Sequence, residues 1–561
     1  MPALRTLLLL AALACAWAPS AWVPSAWAGA PGTAAIASAN PLATRAGMEV
    51  LAAGGNAFDA AVAVSAALGV VEPFSSGLGG GGFWMLHFAA DGRQVMVDGR
   101  ETAPGEAHAE MFLDERGAPI PGLSLNGPLA AGIPGTPAAL AHVSERYGRL
   151  SLAAALAPAI RLAREGYPVY ERMQLGLNFK AEQLRRWPGS EVFLPGGEVP
   201  ALGDPVRLPG LALLMERMAR DGAAGFYAGE SAAVMVEAVR AGGGIWTLED
   251  LAGYRVIERE PLVAEFAGGL RLVLPPPPSA GGVAVIQAMN LLQTFELAEL
   301  GPVDRAHLVI ESLRRAFRDR GYLGDPDFVE MPLERLLHPA YAAGQRTSIR
   351  LDRATASEVF APLHGGQDGD HTSHFSVLDA EGNRVAVTQT INGWYGSSFV
   401  VPGLDLLLNN EMDDFAIRPG EPNLYQLVGA GANNIAPGKR MLSSMTPAFL
   451  ESPRGVAIVG TPGGSRIISM VLLATLAWSE GADAQAMVEL PRYHHQYLPD
   501  RVVHEPSAFT LEEAASLAAR GHALEASRRL YGNMNVVTWE YEGNLVEAAV
   551  DPRGLIEGWT Y

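Results

Sequence analysis

Cysteine, basic residues and long apolar runs are all scarce in this chain of 561 residues. Its single cysteine, Cys15, lies near the amino terminus, so a chain that loses a leader there has no disulfide, thiol nucleophile or thiolate metal ligand. Lysine and arginine number 41 against 60 acidic residues, which gives a net charge of −19. A nucleic-acid partner is therefore not expected, because phosphate contacts need clustered cations.

The one marked apolar run stands at the amino terminus. Arg5 precedes Leu7-Leu8-Leu9-Leu10-Ala11-Ala12-Leu13-Ala14, and Ala26-Trp27-Ala28 forms a small-x-small cleavage site. The run covers about 12 residues, fewer than the roughly 20 of a membrane helix. We predict a signal peptide and a periplasmic or secreted protein without a membrane span. Cleavage at Ala16-Trp17-Ala18 and lipid modification of Cys15 are alternatives, although the residues before Cys15 match a lipobox poorly.

Helical and strand-like patterns follow along the chain. Apolar spacing predicts helices over residues 41–53 and 57–68. Residues 152–317 are mostly helical in pattern, apart from a proline-rich loop predicted at 275–282. Two β-rich runs around residues 379–383 predict a hairpin that ends at Thr390. Strands near both ends with helices between them predict sheets covered by helices, in an α/β or α+β arrangement.

Several familiar catalytic patterns are excluded by their context. Residues 77–82 match the dinucleotide fingerprint in letters, but a strand-like run follows where a helix is needed, so we interpret them as a tight turn. The pairs His371/His374 and His494-His495 lack the H-E-x-x-H pattern and any cysteine partner, so no metal site is expected. There is no G-x-S-x-G elbow, so the nucleophile must be of another type. No cofactor is expected.

The stretch Thr372-Ser373-His374-Phe375-Ser376 follows a polar, glycine-rich loop. Alone, a threonine here is an ordinary strand residue. The stretch nevertheless resembles the Thr-[Thr/Ser]-His-[Tyr/Phe]-Ser motif of the γ-glutamyltransferase (γ-glutamyl transpeptidase) family of N-terminal-nucleophile hydrolases. The family's other motifs occur in order as Asn56-Ala57-Phe58-Asp59-Ala60-Ala61, the glycine loop 77–82, Asp98-Gly99-Arg100-Glu101-Thr102-Ala103-Pro104, Asn409-Asn410-Glu411-Met412-Asp413-Asp414-Phe415, Leu442-Ser443-Ser444-Met445, Thr461-Pro462-Gly463-Gly464-Ser465-Arg466 and Pro491-Arg492-Tyr493-His494-His495-Gln496.

The resemblance implies an α+β, four-layer αββα N-terminal-nucleophile hydrolase fold, built from two chains made by self-cleavage. After a signal peptide at 1–28, the large subunit would be 29–371 and the small subunit 372–561. Thr372 would be the nucleophile. A free α-amine, with a pKa near 7.7 to 8.0, can take up a hydroxyl proton, and only cleavage between His371 and Thr372 produces that amine. Thr390 resembles the family's second threonine, whose hydroxyl bonds the nucleophile.

The resemblance also implies a pocket for a γ-glutamyl group. The residues expected to hold its α-carboxylate by charge-assisted bonds are Arg100, Ser443 and Ser444. Those expected to accept bonds from its α-ammonium are Asn392, Glu411 and Asp414. Each alone could be an ordinary surface or cap residue, whereas together they supply opposite charges for both ends of an amino-acid zwitterion.

Three further features carry expectations from the same resemblance. The backbone amides of Gly463 and Gly464 resemble the oxyanion hole, a role that favours glycine because the substrate approaches the backbone closely. Residues 415–434 resemble the family's lid, with Tyr425 as the wall of the pocket. Gly393-Trp394-Tyr395 differs from the commonest family forms, which bears on acceptor preference.

We therefore predict an exported γ-glutamyltransferase and glutathione hydrolase. It would form a γ-glutamyl ester on Thr372 from glutathione or a related donor, and pass the group to water or to an amino-acid or dipeptide acceptor. Two alternatives stay open. One is a cephalosporin or glutaryl acylase, whose donor lacks the α-amine. The other is an unprocessed, non-catalytic exported binding protein.

Overall fold

Two antiparallel six-stranded sheets form the centre of the molecule. The computed structural model describes residues 29–359, 372–418, 423–427 and 431–554. Its strands are β1 Ala35–Ser38, β2 Gly81–His87, β3 Gln94–Gly99, β4 Tyr167–Pro168, β5 Pro205–Val206, β6 Ile257–Arg259, β7 Leu262–Phe266, β8 Leu270–Leu274, β9 Ser373–Leu378, β10 Arg384–Thr390, β11 Val400–Val401, β12 Leu406–Leu407, β13 Ala448–Ser452, β14 Gly455–Val459, β15 Tyr493–His494, β16 Val502–His504, β17 Leu524–Ala526, β18 Asn535–Glu540 and β19 Leu545–Val550.

The first sheet has the order β1-β9-β10-β2-β3-β6, and the second has the order β19-β18-β14-β13-β8-β7. The α-helices of the described residues are α1 Pro41–Ala52, α2 Ala57–Val71, α3 Thr136–Tyr147, α4 Leu152–Glu165, α5 Glu171–Leu184, α6 Pro209–Asp221, α7 Ala224–Tyr227, α8 Gly229–Ala241, α9 Leu248–Gly253, α10 Gly281–Leu292, α11 Pro302–Asp319, α12 Leu333–Leu337, α13 Pro339–Arg346, α14 Arg466–Ser479, α15 Ala484–Glu489 and α16 Leu511–Ala519.

These elements stack in four layers. Helix α2 packs on β9 and β10 of the first sheet, and the opposite face of that sheet meets the second sheet where β9 contacts β14 and β18. Helices α10, α14 and α15 cover the outer face of the second sheet. The αββα layering implied by the resemblance is confirmed. Both sheets contain strands from before and after Thr372, so neither stretch of chain builds a sheet alone.

Local sequence explains the elements nearest the site. Helix α2 is buried along its whole length, and its amino terminus is closed by a capping box in which Asn56 and Asp59 bond each other's backbone. The turn between β9 and β10 is closed by Asp379, whose Oδ1 accepts hydrogen bonds from the amides of Glu381 and Asn383. The predicted helices at 41–53 and 57–68 and the predicted hairpin are confirmed.

The structure corrects two expectations for the middle of the chain. Strands β6, β7 and β8 interrupt a stretch that is mostly helical in pattern, because each is short and joins a sheet formed by distant segments. The loop predicted at 275–282 ends two residues earlier, since α10 begins at Gly281. The amide of Gly281 donates a hydrogen bond of 3.0 Å to Ser279 Oγ. A Cβ on Gly281 would come 1.8 Å from Thr446 Oγ1, so a larger residue does not fit at this helix start.

The glycine loop at 77–82 is a packing feature, as interpreted from the sequence. A Cβ on Gly79 would come 1.9 Å from the carbonyl oxygen of Leu407, and one on Gly80 would come 2.0 Å from that of Thr390. Only glycine allows so close a backbone approach.

The predicted signal peptide at 1–28 lies outside the described residues, as does His371 at the predicted cleavage point. The chain divides into residues 1–30 and residues 31–561, and the layers above belong to the second unit. Within the described part of the chain, no helix combines the length and apolarity required to cross a bilayer.

Candidate active site

The β9–β10 hairpin places two threonine hydroxyls side by side. Its register pairs Ser373 with Gln389, so the next position sets Thr372 opposite Thr390. Thr372 Oγ1 lies 3.4 Å from Thr390 Oγ1, and both residues are buried. Thr390 Oγ1 also accepts a hydrogen bond of 2.8 Å from the amide of Asn392. The two threonines singled out in the sequence are thus brought together.

A small cavity opens beside this pair. Most of the residues expected to bind substrate line it, together with both threonines; they are Thr372, Thr390, Asn392, Glu411, Asp414, Tyr425, Ser443, Ser444 and Gly464. Arg100 and Gly463 do not belong to the lining. Three apolar side chains that the sequence did not single out complete it, namely Leu427, Met445 and Ile467.

Arg100 lies behind the cavity in a buried cluster of charges. Its guanidinium donates to Glu411 and, at 2.6 Å, to Asp414, while Glu101 lies 3.4 Å away. Burial raises the pKa of Glu411 well above its ordinary value, raises that of Asp414, and raises that of Glu101 to about 7, against the opposing effect of Arg100. Arg320 is a second buried guanidinium whose charge acts on Asp414. A cation placed beside Glu411 and Asp414 would therefore favour their ionised forms and lower both pKa values.

Three polar atoms at the cavity have no hydrogen-bond partner among the described residues. They are Asn392 Oδ1, Glu411 Oε2 and Ser444 Oγ. Leaving a buried polar atom unsatisfied costs about 1 to 3 kcal/mol, so such atoms signal a missing polar partner. The first two are acceptors, which suit an ammonium group, and the serine hydroxyl can donate to a carboxylate.

The cavity reaches Gly464, the second residue of a glycine pair before helix α14. Gly463 and Gly464 have φ values of 145° and 54°, and a Cβ on Gly464 would come 2.3 Å from Tyr425 Cδ1. Helix α14 begins at Arg466, so the pair stands just before a helix amino terminus, where unpaired amides and the helix dipole favour negative charge.

The model of the family described as gamma-glutamyltranspeptidase matches residues 43–558 of this chain. The chain belongs to the γ-glutamyltranspeptidase family. This finding confirms the resemblance drawn from the motifs, and with it the identification of the chain as an enzyme of the N-terminal-nucleophile hydrolase class.

Relatives and solved structures agree with the family. The chain is 40% identical to a glutathione hydrolase proenzyme of Pseudomonas sp. (strain A14) over 83% of this chain and 82% of that protein. It is 37% identical to a glutathione hydrolase proenzyme of Escherichia coli (strain K12), over 93% and 90% of the two chains. A cephalosporin acylase from Bacillus halodurans superposes with a TM-score of 0.80 at 28% identity, covering 96% of this chain and 98% of that one.

In this transpeptidase-family chain, Tyr425 closes one side of the cavity. Its hydroxyl donates to the carbonyl oxygen of Asn392 at 2.8 Å, and its ring lies against Gly464. Gln496 holds the backbone behind it, with Nε2 donating to Tyr425 O at 3.0 Å, and itself accepts a hydrogen bond from Ser465. Residues 419–422 and 428–430 of the expected lid lie outside the described residues.

Sequence reasoning missed three residues that hold this wall. The amide of Leu424 donates to Asp413 Oδ2 at 2.7 Å, and Asn423 Nδ2 donates to Asp414 Oδ1 at 3.0 Å. Asp413 and Gln496 belong to motifs named in the sequence analysis, so membership of those motifs could have identified them as site residues. No sequence signal identified Asn423, because its role depends on how its segment folds back onto Asp414.

Proposed function

We propose that this family member is an exported γ-glutamyltransferase and glutathione hydrolase that matures by cutting its own chain. The signal peptide is residues 1–28, the large subunit 29–371 and the small subunit 372–561. The mature enzyme takes a γ-glutamyl group from glutathione or a related donor and transfers it to water, an amino acid or a dipeptide.

One observation carries this proposal. Thr372 lines a small cavity whose other side holds an unsatisfied serine hydroxyl and buried carboxyl groups that a cation would stabilise in their ionised forms. A γ-glutamyl group offers the complement, since its α-ammonium supplies the cation and its α-carboxylate accepts from Ser443 and Ser444. Its γ-carbonyl then reaches the nucleophile.

The first step forms an ester. The α-amine of Thr372 takes the hydroxyl proton, and Oγ1 attacks the γ-carbonyl carbon of the donor. The amides of Gly463 and Gly464 donate to the oxyanion, where the nearby helix terminus adds favourable potential. The donor's carbon–nitrogen bond then breaks, and the proton goes to the departing amine. Thr390 orients the attacking hydroxyl.

The second step releases the group. Water or an acceptor amine attacks the ester carbonyl, the bond to Thr372 Oγ1 breaks, and the proton returns to that oxygen through the α-amine. Arg100 acts through the carboxyl groups it binds: it holds Glu411 and Asp414 in place and opposes the rise in pKa that burial causes, and they in turn bind the substrate ammonium. Its contribution to α-carboxylate binding is long-range charge attraction from behind the cavity wall.

A steady-state assay tests the activity. The processed protein is given glutathione with and without glycylglycine, and we expect glutamate release without the dipeptide and additional γ-glutamyl-glycylglycine with it. A gel of the same sample separates the enzyme from the non-catalytic alternative, which stays a single chain and forms neither product.

A matched pair of donors separates the transferase from an acylase. γ-Glutamyl-p-nitroanilide and glutaryl-p-nitroanilide share a leaving group and differ only in the α-amine. If Glu411 and Asp414 bind that amine as proposed, the γ-glutamyl donor should be preferred at least tenfold in kcat/KM, the effect of about one lost charged hydrogen bond. Equal rates would favour the acylase.

A further inference from the structure

A groove of about 660 Å³ lies beside the active-site cavity. The two share four stretches of chain, because four residues that line the cavity are each followed or preceded by a residue that lines the groove. The pairs are Asn392 with Gly393, Glu411 with Asn410, Tyr425 with Leu424, and Ile467 with Arg466. The groove therefore begins at the wall of the γ-glutamyl pocket, next to the oxyanion glycines.

The lining of this groove is strongly basic. Its charged members are Arg172, Lys180, Arg466, Arg528, Arg529 and Arg553, and no aspartate or glutamate belongs to the described lining. The whole chain has a net charge of −19, so average composition does not explain a groove whose charged lining residues are all cations. Such a cleft concentrates anions.

Only some of these cations have a carboxylate or aromatic partner among the residues that the structure describes. Arg553 donates two hydrogen bonds of 2.8 Å to Glu505, and Arg466 stacks over the ring of Tyr531 at 4.6 Å. By contrast, the side chains of Lys180, Arg528 and Arg529 form no ion pair or hydrogen bond with any residue in the described ranges. Burial lowers the pKa of the Lys180 ammonium to about 8, as expected for a desolvated cation without a counter-charge.

Apolar side chains are exposed next to these cations. Phe179 is 70% exposed, Leu530 is 56% exposed and Leu175 is 45% exposed, and all three line the groove. A ligand that suits both features has carboxylates on aliphatic stems, which is the chemistry of an acidic peptide. A small inorganic anion would contact the cations but leave these apolar side chains exposed to water.

We propose that this basic groove binds the acceptor peptide, and that it favours acceptors carrying side-chain carboxylates in addition to the terminal one. The inference rests on the proposed transferase function and names its second substrate. The acceptor's α-amine attacks the γ-carbonyl carbon of the ester on Thr372, the carbon–Oγ1 bond breaks, and the amine proton returns to Oγ1. The carboxylates meanwhile lie against Lys180, Arg528 and Arg529.

The test compares two acceptors of the same shape and different charge, Gly-Glu-Glu and Gly-Gln-Gln, with γ-glutamyl-p-nitroanilide as donor. The readout is the ratio of their acceptor efficiencies within one enzyme preparation, which is insensitive to the fraction of folded protein. We expect a ratio of at least about fivefold in the parent, the scale of one ion pair at a partly exposed site. It should fall below about twofold in the double variant Arg528→Gln/Arg529→Gln, and decrease in Lys180→Gln.

A charge-matched control is available in Arg45 on α1. This arginine is exposed, lies outside the groove lining and has no ion pair in the described part of the chain, so Arg45→Gln should keep the parent ratio. Added salt should lower the parent ratio, because screening weakens exposed charge pairs.

Failure of the groove proposal and of the proposed function would look different. Release of p-nitroaniline without acceptor reports ester formation and hydrolysis alone, so a protein that releases none has lost the basis of both. Normal release with a parent ratio near one, or with a ratio unchanged in the groove variants, overturns the acceptor groove and leaves the transferase standing.

Discussion

Two pairs of polar side chains stand on the same face of the β9–β10 hairpin, two residues apart. Thr372 faces Thr390 at the end of the hairpin, and His374 faces Thr388 at the next position on that face. The histidine pair is closed: Nδ1 bonds Thr388 Oγ1 at 2.9 Å, and Nε2 bonds Ser376 Oγ at 3.1 Å. The threonine pair lines a cavity instead.

The difference teaches that surroundings, more than residue type, decide which pair is open to a cavity. Burial lowers the pKa of His374 to about 3, and a Cβ on Gly460 would come 2.3 Å from its ring, so the imidazole stays neutral inside the sandwich. A histidine inside a catalytic motif would ordinarily be the first candidate for a base. Here His374 holds the strand through its two hydrogen bonds, and the Thr372 side chain lines the cavity.

The largest effect among the tests of this comparison is expected at the far side of the cavity. Losing one partner of a desolvated, charge-assisted bond typically costs about 2 to 5 kcal/mol. Asp414→Ala and Arg100→Ala should therefore each lower kcat/KM with glutathione by more than roughly tenfold. Arg100→Ala should be the more severe, since it leaves Glu411 and Asp414 buried without their guanidinium partner.

Processing should survive in both variants, because neither group is needed to attack the His371 carbonyl. A gel of each variant is thus the control for folding. An Asp414→Ala protein that treats glutaryl and γ-glutamyl donors as the parent does would show that no α-ammonium is bound at this position.

A second test sets the two hydroxyl pairs directly against each other. Thr390→Val removes the hydroxyl beside the nucleophile and should lower kcat by about tenfold, the upper range for one neutral hydrogen bond. Thr388→Val removes the same atoms two residues away and should leave activity at the parent level. It should instead lower the free energy of unfolding by about 1 to 3 kcal/mol, because His374 loses a buried partner.

Activity and urea-unfolding midpoints of the two valine variants measure both effects. The comparison fails if the pattern is reversed, with Thr388→Val inactive and Thr390→Val only less stable.

The smallest expected effect is on the pH profile of His374→Asn. Activity should fall on the acid side, because protonation of the Thr372 α-amine removes the acceptor for the hydroxyl proton. His374, with a pKa near 3, is already neutral over that range, so a processed His374→Asn protein should keep this limb in place. Displacement of the limb by a pH unit or more would assign the base to the histidine.

Much of this site could be predicted, because its residues sit in short motifs. Thr372, Asn392, Glu411 and Ser444 lie in different segments, yet the motif resemblance named all four, and the cavity brings them together. What it could not supply was the pairing of charges. Arg100 and Asp414 were expected to bind opposite ends of a substrate, whereas in this structure they bind each other. Contacts across 314 residues of sequence follow from the fold, and no local pattern encodes them.

The fold, like the site, was predictable where the signal is local in sequence and unpredictable where it depends on distant contacts. Helix α2 and the β9–β10 hairpin were predictable, since a capping residue, Asn56, marks the start of the helix and a polar turn joins the two β-rich runs of the hairpin. Strands β6, β7 and β8 were not, because three to five residues carry little periodic signal, and both β6 and β8 pair with strands far away in sequence. The basic groove was also invisible, as its cations come from three separate regions of the chain.

The most direct test of the account is the fate of the bond before Thr372. Parent and Thr372→Ala proteins are purified, and intact masses and amino-terminal sequences are measured. Scaled from 59.2 kDa for 561 residues, the parent should give chains of roughly 36 and 20 kDa. The smaller should begin at Thr372, and the variant should stay one inactive chain. A Thr372→Ala protein cut at the same bond would show that another group performs the cleavage, and would contradict the assignment of Thr372 as the nucleophile.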